Sequence, residues 1–486
     1  MQRFPIPVLW ILLFTSAPAA AAPHDDFDHL VEINKASLVM LTEAKLLPPN
    51  LAADIAMGIE QIAIEQSAAA AARSSNYLRF EKRLLEISGP AASRLHTGRS
   101  RQDIGSTYRR MALREALLDS YEALLDARLA LLSLAGDHVE TIVPAYTHGV
   151  QAQPTSFAHY LLAFSAAFER DAERLREVYA RLNRSPLGAA ALATSGFPID
   201  RPRLAELLGF DAAIENSYDA NLVSSVDSKL EFANALSASA IVVGQLMQNI
   251  HTQYHDPAPW ILLAESQTDV SSIMPQKRNP RPLDRVRSLA SSVVGAAYQV
   301  SLNAHNTMSG MNDYRPATTT LAVADAATGM YRRYVDVLQH LVIDEQRALE
   351  EVDLDYSTMT EVADVLLRHA GVPFRIGHHY ASELTRYGRA NAMRPKDLSD
   401  ETLMRIYRET DAADLPVGID LIRAALSAEA MVAERRGLGG PQPAEVTRML
   451  VAANAALEAD LDWLERRREQ LQLAETELVS AFDALR

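Results

Sequence analysis

The sequence predicts an all-α protein with three helical domains, the central one a bundle of long helices. Hydrophobic residues make up 48% of the 486 residues and charged residues 22%, the balance of a folded protein with a substantial core. Strand-like alternation of apolar and polar residues is sparse. Four long segments lack proline, contain at most one glycine and carry apolar residues at helical intervals: 106–135, 155–185, 218–256 and 283–304.

The chain divides into an N-terminal signal segment and three helical domains. Residues 23–105 are predicted to form short helices. Residues 106–355 are predicted to form the central bundle, because the four long segments lie within them. From residue 356 the sequence becomes richer in arginine, histidine and short helical patterns, which predicts a third domain over residues 356–486.

Residues 1–22 have the composition of a secretory signal. Arg3 is their one charged residue, an apolar stretch spans residues 8–14, and small residues ending in APAAAA precede the predicted cleavage point. The apolar stretch is well short of the roughly 20 residues that a membrane span needs, so cleavage is expected rather than an uncleaved anchor. No later segment is expected to cross a membrane. We therefore expect an exported protein, periplasmic in a Gram-negative bacterium.

Charge and cysteine content exclude several classes of function. The formal net charge is −15, from 47 basic and 62 acidic residues, so broad binding to nucleic acid or to an anionic membrane is not expected. The absence of cysteine excludes disulfides, cysteine-ligated zinc, iron–sulfur clusters and a cysteine nucleophile. The histidine pairs at 251/255 and 378/379 lack the acidic context of a zinc motif, so neither a metal nor a cofactor is expected.

The loop over residues 268–280, TDVSSIMPQKRNP, carries the densest set of polar side chains between two predicted helices. It brings two hydroxyls, an ammonium and an amide together: Ser271, Ser272, Lys277 and Asn279. Such a set can cradle a carboxylate. A flexible linker stiffened by two prolines explains the spacing equally well.

Four segments resemble sequence blocks of one enzyme family. TDVSSIMPQKRNP is similar to the signature GSSxMPxKxN of the fumarase/aspartase superfamily, with Val270 in place of the first glycine. Its argininosuccinate lyase branch has blocks similar to LHTGRSRQD, YTHGVQAQPTSFAHYLLAF and PLGAAALATSGFPIDR. The resemblance covers about residues 30–480, and the chain is identified as a member of that family.

Membership in this family implies a homotetramer whose central helices form one joint bundle, with active sites shared between chains. It also implies a reaction in which a proton leaves Cβ of a substituted succinate and the nitrogen on Cα departs, giving fumarate. The carboxylate next to the departing proton then carries two negative charges, which cationic and N–H donors stabilise.

The family motifs also imply roles for residues of this chain. Ser271 matches the catalytic base, His148 matches a histidine that relays a proton to the departing nitrogen, and Lys277 and Asn279 match residues that bind the carboxylate whose charge grows. Asp284 stands where the family has a glutamate that pairs with this histidine, and its side chain is one methylene shorter. The other residues that match, or support, carboxylate-binding positions are Ser100, Arg101, Gln102, Thr147 and Ser272, with Gln102 in place of an asparagine.

Purely structural roles are the alternatives for several of these residues. Ser271 could be a helix cap, and His148 could be a cap or a surface residue. Arg99, next to the carboxylate-binding positions, is expected to be structural.

The resemblance weakens in segments that recognise the amine half of the family's substrate. SSNYLRFE replaces DIHTANE, DANLVSSVDSKLEF replaces DAVSDRDFVLEF, and GMNDYRPATT replaces YNKDLQEDKE. The residues that contact the arginine portion have no counterpart there, and Tyr314 and Arg315 stand nearby as substrate-binding candidates. We expect the fumarate-releasing half of the site to be retained and the amine-specific half to be rebuilt.

The resulting hypothesis is a carbon–nitrogen lyase, of the amidine-lyase type, that cleaves an N-substituted aspartate to fumarate and an amine. Argininosuccinate is the substrate that the family implies, and ethylenediamine-disuccinate or another aminopolycarboxylate is the alternative. A non-catalytic binding or structural homologue is a third interpretation, and the presence of Ser271, Lys277, Asn279 and His148 argues against it. The expected partner is a small dicarboxylate, with no nucleic acid or membrane.

Overall fold

The computed structural model describes residues 25–67, 73–310 and 318–486. The predicted signal segment, Tyr314 and Arg315 lie outside the described residues. Helices dominate the rest, which confirms the all-α prediction. They are α1 (Asp26–Glu43), α2 (Pro49–Ser67), α3 (Tyr77–Ser88), α4 (Arg101–Asp137), α5 (Phe157–Leu182), α6 (Arg201–Leu207), α7 (Ser217–Leu222), α8 (Ser224–Gln253), α9 (Arg281–Ala304), α10 (Thr318–Gln339), α11 (Glu345–Leu354), α12 (Met359–Ala370), α13 (Phe374–Ala390), α14 (Asp400–Asp411), α15 (Ile419–Ala425), α16 (Ala428–Glu434) and α17 (Pro443–Asp483).

The strands of the described residues are short and form isolated pairs. The antiparallel pairs are β1 with β2, β5 with β8, and β6 with β7, and β3 with β4 is parallel. Two of these pairs present predicted site residues, as shown below. The strands are β1 (Ile142–Thr147), β2 (Val150–Ser156), β3 (Arg184–Ser185), β4 (Ala212–Ala213), β5 (Ile261–Leu263), β6 (Asp269–Val270), β7 (Arg278–Asn279) and β8 (Leu341–Ile343).

The central bundle consists of α4, α5, α8, α9 and α10, packed around fully buried side chains such as Phe168 and Phe232. The four long predicted helices are present, but the prediction of one continuous helix over residues 218–256 is wrong. The chain breaks at Val223, between α7 and α8. At the break the Ser224 hydroxyl donates to the Asp219 carbonyl at 2.9 Å, and such a side-chain bond competes with the backbone ladder of a continuous helix.

Buried apolar side chains form three main clusters along the chain. The N-terminal cluster joins α1–α3 to α6 and to the end of α17, and the central cluster fills the bundle. The C-terminal cluster runs from Tyr356 to Leu426. The helix α17 packs along α4 and α5 and against α1, so residues 443–483 lie with the first two clusters rather than with the third, where the predicted domain limits placed them.

Helix α8 is long and apolar enough to cross a membrane by length and composition alone, with 44% of its most apolar window buried. The sequence analysis expected no such segment after the signal. In the structure one face of α8 packs into the bundle core through Phe232, Leu236 and Val243, all at 0% exposure. A core helix of this kind meets the same criteria of length and composition as a membrane span.

A buried ionic network joins α4, α5 and α17. The Asp460 carboxylate on α17 accepts hydrogen bonds from Arg128 Nη1 at 2.5 Å and from the Tyr121 hydroxyl at 2.9 Å, and Arg176 Nη1 lies 2.7 Å from it. Arg128 is 0% exposed and Asp460 is 3% exposed. Since two guanidinium groups and a hydroxyl depend on one carboxylate, Asp460 fixes the long C-terminal helix onto the bundle.

We predict that Asp460→Ala lowers the free energy of unfolding by about 2–3 kcal/mol, because it removes the nearer of the two counter-ions of the buried Arg128 guanidinium and leaves only Glu169, at 3.2 Å. Urea denaturation followed by circular dichroism measures this loss. The matched control is Asp462→Ala, which removes an exposed carboxylate from the same helix and is expected to change stability by less than about 0.5 kcal/mol. Equal destabilisation by both substitutions would contradict the role given to the network.

Candidate active site

The N-terminus of α4 holds three of the predicted carboxylate-binding residues in one capped turn. Ser100 is the N-cap, and its hydroxyl accepts from the Gln102 backbone N–H at 3.2 Å. In return the Asp103 carboxylate accepts from the Ser100 N–H at 2.7 Å, which completes a capping box. Arg101 is exposed, at the first position of the helix. The positive end of the helix dipole and an exposed guanidinium group therefore occur in the same turn, a good environment for a carboxylate.

Asp103, which the sequence analysis did not single out, ties this turn to the loop that follows β3. It is fully buried, and its second oxygen accepts from the backbone N–H groups of Gly188 at 3.0 Å and Ala190 at 3.1 Å. Burial raises the pKa of Asp103, while the hydrogen bonds from the backbone oppose that rise. Gly188 and Ala190 both have positive φ, at 80° and 47°, so the loop adopts a strained shape to reach this carboxylate.

Arg99 is structural, as expected, and differs sharply from its neighbour Arg101. Its guanidinium is buried and donates to Ser37 Oγ at 2.8 Å and to Asn34 Oδ1 at 2.7 Å, both on α1. It also lies 5.3 Å from the centre of the Tyr77 ring. Arg99 thus attaches the turn before α4 to the N-terminal helices and leaves Arg101 to face solvent.

His148 lies at the tip of a β-hairpin that the sequence analysis did not predict. Thr147 pairs with Val150 across β1 and β2, so His148 and Gly149 form a two-residue turn. Their φ values are 52° and 75°, and positive φ at both central positions is the pattern of a type I′ turn. His148 and Thr147 are exposed there. The dipeptide His-Gly between β-forming residues was the available signal for this hairpin.

The hairpin is held in place next to its turn, by α11 and the residues that follow it. The Gln151 side chain donates to the Val352 carbonyl and to Ser357 Oγ, both at 3.1 Å. The Tyr146 hydroxyl donates to Glu351 on α11. Because Tyr146 and Gln151 pair with each other one step before the turn, these three side-chain hydrogen bonds fix the position of the tip that carries His148.

The loop with the signature residues closes through the short β6–β7 pair. The Ser271 N–H donates to the Lys277 carbonyl at 3.3 Å, and the Asn279 side-chain amide donates to the Asp269 carbonyl at 3.1 Å. Lys277 and Ser272 are exposed, and Asn279 and Ser271 are half-buried. The pairing brings the backbone of Ser271 next to that of Lys277 and holds Asn279 at the end of the same loop.

The Ser271 hydroxyl oxygen accepts hydrogen bonds from two backbone N–H groups. The Met274 N–H lies 3.1 Å and the Ile273 N–H 3.4 Å from Ser271 Oγ. Ser271 thus caps the turn that follows it, as the structural alternative proposed, although no helix begins there. The same two donors stabilise negative charge on the oxygen, which is the requirement for a serine that acts as a base.

Asp284, in the first turn of α9, contacts a different histidine from the one predicted. Its Oδ1 lies 3.5 Å from His251 Nδ1 and 3.6 Å from Arg287 Nη1. Arg287 Nη1 also lies 2.9 Å from His251 Nδ1, and because the guanidinium must donate, this ring nitrogen accepts. Arg287 therefore bridges the imidazole and the carboxylate. The pairing of Asp284 with His148 stays a prediction, since the two belong to different chains in the expected assembly.

Within one chain the predicted residues form three separate groups: the α4 terminus, the β1–β2 turn and the β6–β7 loop. In the part of the chain that the structure describes, no side-chain hydrogen bond or ion pair joins one group to another. All three groups are at least partly exposed. Tyr314 and Arg315 lie outside the described residues, so their role in binding the amine half stays a prediction.

A cationic cluster that the sequence analysis missed lies where α8 meets α4. Lys229 is only 8% exposed, and burial lowers its pKa to about 8, with repulsion from Arg109 and Arg110 adding to the effect. Arg110 is buried, donates to the Leu182 and Ser224 carbonyls at 2.8 and 3.1 Å, and has its own pKa lowered to about 10 by burial. The sequence offered two signals for this cluster: the adjacent arginines 109 and 110, and a lysine in the segment DANLVSSVDSKLEF, which departs from the family pattern.

Comparisons with known proteins match nearly the whole chain. A family model described as Lyase matches residues 40–295, and one described as Argininosuccinate lyase C-terminal matches residues 356–433. Argininosuccinate lyase 1 of Shouchella clausii is 31% identical over 474 residues, covering 96% of this chain and 94% of that protein. Argininosuccinate lyase 2 of Agrobacterium fabrum is 34% identical over 497 residues, covering 100% of this chain and 97% of that protein.

The solved structures that match include an enzyme named for a different substrate. The crystal structure of EDDS lyase in complex with formate has a TM-score of 0.86 and is 29% identical, covering 95% of this chain and 92% of that chain. The matches confirm the family that the sequence motifs indicate, and they confirm the helical fold.

We predict that Lys229 makes stability rise between about pH 8 and 10.5. Its pKa is lower in the folded chain than its ordinary value of 10.5, so in this window the unfolded chain binds more protons and a rise in pH favours the folded state. From pH 7.5 to 9.5 the gain amounts to about 2 kcal/mol. Urea midpoints at both pH values should show this gain in the wild type relative to Lys229→Met. Identical pH profiles would contradict the lowered pKa.

Proposed function

Because this chain belongs to the argininosuccinate lyase family of carbon–nitrogen lyases, in the fumarase/aspartase superfamily, we propose that it cleaves an N-substituted aspartate to fumarate and an amine. The observation that supports this best is Ser271, whose hydroxyl oxygen accepts two backbone N–H groups in a loop that also presents Lys277 and Asn279. A helix cap needs no such neighbours, whereas a base beside a carboxylate does.

In the proposed reaction Ser271, as the alkoxide that its two N–H donors stabilise, accepts the proton from Cβ and becomes a neutral hydroxyl, and the C–H electron pair moves into the adjacent carboxylate. Lys277 and Asn279 stabilise the two charges that this carboxylate then holds. The pair returns to form the C=C bond while the Cα–N bond breaks, and the nitrogen keeps the electrons of that bond and takes up a proton. His148 is the proposed proton donor, since an imidazole exchanges protons near neutral pH. The products are fumarate and the free amine.

The substrate's aspartate carboxylates are expected to bind at the α4 terminus. Arg101 offers a guanidinium with no partner in the part of the chain described here, and the capped turn directs N–H dipoles to the same side. Thr147, Ser100, Gln102 and Ser272 are the proposed supporting donors. Argininosuccinate and an ethylenediamine-disuccinate-like aminopolycarboxylate are the two candidate substrates, the first suggested by the relatives and the second by the EDDS lyase structure.

We predict that the purified protein releases fumarate, detected by ultraviolet absorbance, from argininosuccinate or from ethylenediamine-disuccinate. Ser271→Ala should lower kcat by about 10²–10⁴-fold, because it removes the proton acceptor while the carboxylate-binding groups remain. The control is Ser266→Ala, an exposed serine just before the loop, which should leave kcat unchanged. Binding of fumarate to the inactive variant, measured by calorimetry, shows that the pocket persists. If fumarate binds but neither substrate reacts, the non-catalytic interpretation is favoured.

We also propose that the chain assembles into a homotetramer with shared sites. On α8 and α9 the large apolar side chains of Ile241, Tyr298 and Leu302 are 62%, 65% and 49% exposed, so helices built for a core are uncovered in the single chain. The separation of the three groups of site residues within one chain supports the same assembly. In it, His148 of one chain would meet the Ser271 loop of another.

Mixing two inactive variants tests the shared site. If His148 and Ser271 act together from different chains, unfolding and refolding an equal mixture of His148→Asn and Ser271→Ala should restore activity in about a quarter of the sites. Each variant refolded alone is the control and should stay inactive. Absence of recovery in a mixture shown by light scattering to contain tetramers would mean that both residues act from the same chain.

A further inference from the structure

We propose that Arg109 is a specificity-determining residue of this site, which binds a carboxylate carried by the nitrogen substituent of the substrate. This inference rests on the proposed function and adds a residue to its substrate-binding groups. It concerns a residue outside the family motifs quoted above.

Arg109 lies on the same face of α4 as Gln102 and Gly105, because these positions are separated by three and four residues. A Cβ built on Gly105 would lie 3.2 Å from Arg109 Nη1 and 3.3 Å from Nη2. The guanidinium therefore folds back along the helix towards its N-terminus and rests over the one position in this turn that has no side chain. That direction points it towards Gln102 and Arg101, where the aspartate carboxylates are proposed to bind.

The Arg109 guanidinium is half-buried and makes no hydrogen bond or ion pair in residues 25–67, 73–310 and 318–486. A second donor close by also lacks an acceptor. The Gln102 side-chain nitrogen is shielded from solvent and has no hydrogen-bond partner among the residues that the structure describes. Polar groups removed from water normally have partners. Arg109 and Gln102 therefore present two donors without acceptors on one helix face, which indicates that a bound ligand supplies the acceptors.

The nearby charges indicate that the ligand group that pairs with Arg109 is an anion. Lys229 is buried close enough to Arg109 for the guanidinium to lower the pKa of the lysine. The Asp103 carboxylate accepts hydrogen bonds from backbone N–H groups, and the negative charges of Asp219 and Asp227 act on Arg110. A region of a −15 chain that concentrates positive charge in this way attracts an anionic ligand.

The spacing along α4 fits a second carboxylate on the nitrogen substituent. The guanidinium lies level with Gly105, four residues from Arg101, which corresponds to about 6 Å along the helix axis. A carboxylate two or three bonds beyond the nitrogen spans such a distance. A guanidinium substituent would meet like charge from Arg109 and Lys229, whereas a bidentate carboxylate pairs well with Arg109.

A matched pair of substrates tests the proposal. N-(2-carboxyethyl)aspartate and N-propylaspartate have substituents of equal length, and only the first carries a carboxylate there. We expect the wild type to favour the first in kcat/KM by about 10- to 100-fold, as one charge-assisted contact allows. Arg109→Met should reduce this preference to within about threefold of unity. Arg109→Lys should retain part of it.

Two further variants separate this role from a general effect on folding. Gly105→Ala keeps every charge but crowds the guanidinium, so it should lower the preference for the carboxylate-bearing substrate, and by less than Arg109→Met does. Arg375→Met removes an exposed arginine on α13 and should leave the preference unchanged. Circular dichroism confirms that each variant is folded.

The outcomes distinguish the failure of this proposal from the failure of the proposed function. The proposal is overturned if the wild type releases fumarate from both substrates equally well, or if Arg109→Met lowers kcat/KM for both substrates equally. Either result means that Arg109 does not bind the amine half of the substrate. If the wild type releases fumarate from neither substrate, from argininosuccinate or from ethylenediamine-disuccinate, the lyase function itself fails. A preference that Arg109→Met abolishes supports both.

Discussion

The buried Asp103 carboxylate is the interaction on which the shape of the candidate site depends. It accepts backbone N–H groups from the cap of α4 on one side and from the strained Gly188–Ala190 loop on the other. These donors would otherwise be buried without acceptors, and such groups cost about 1–3 kcal/mol each. The carboxylate therefore holds two chain segments, distant in sequence, in one arrangement. The helix α4 begins at this turn and carries both the exposed Arg101 and the half-buried Arg109, so the turn sets the positions of both residues.

Local patterns in the sequence were sufficient for the helices but not for the hairpin that carries His148. The long helices follow from apolar periodicity without proline, and α4, α5, α8 and α9 lie where that pattern placed them. The β1–β2 pair depends instead on its contacts with α11, through Gln151, and with α12, through Gln153. Contacts between segments two hundred residues apart leave no local pattern. The break at Val223 was equally hidden, because serine is common within helices and nothing local in the sequence marks the bond that Ser224 makes to the Asp219 carbonyl there.

The candidate site shows a similar division. The signature loop could be recognised because its residues lie close together in sequence and its geometry is local, with Ser271 closing onto Met274 and Lys277. Arg109 could not be recognised, because its meaning comes from the missing side chain at Gly105, one turn away, and from Lys229 on another helix. A lone arginine in a helix is usually a solvated residue. Only the packing shows that the guanidinium of this one has no hydrogen-bond acceptor among the residues that the structure describes.

The surroundings of Ser271 explain how a half-buried serine can become a base. Three large apolar side chains flank it at the loop surface: Val270, Ile273 and Met274 are 66%, 82% and 37% exposed. Covering such side chains gains roughly 1.5–3 kcal/mol for each one fully buried, so a partner chain or a bound substrate that closes over the loop is favoured by the loop's own composition. Closure also removes water from the Ser271 hydroxyl, and the two backbone N–H groups then act in a medium of lower dielectric constant. The apolar residues thus supply the free energy of closure, and the N–H groups supply the stabilisation of charge that closure makes effective.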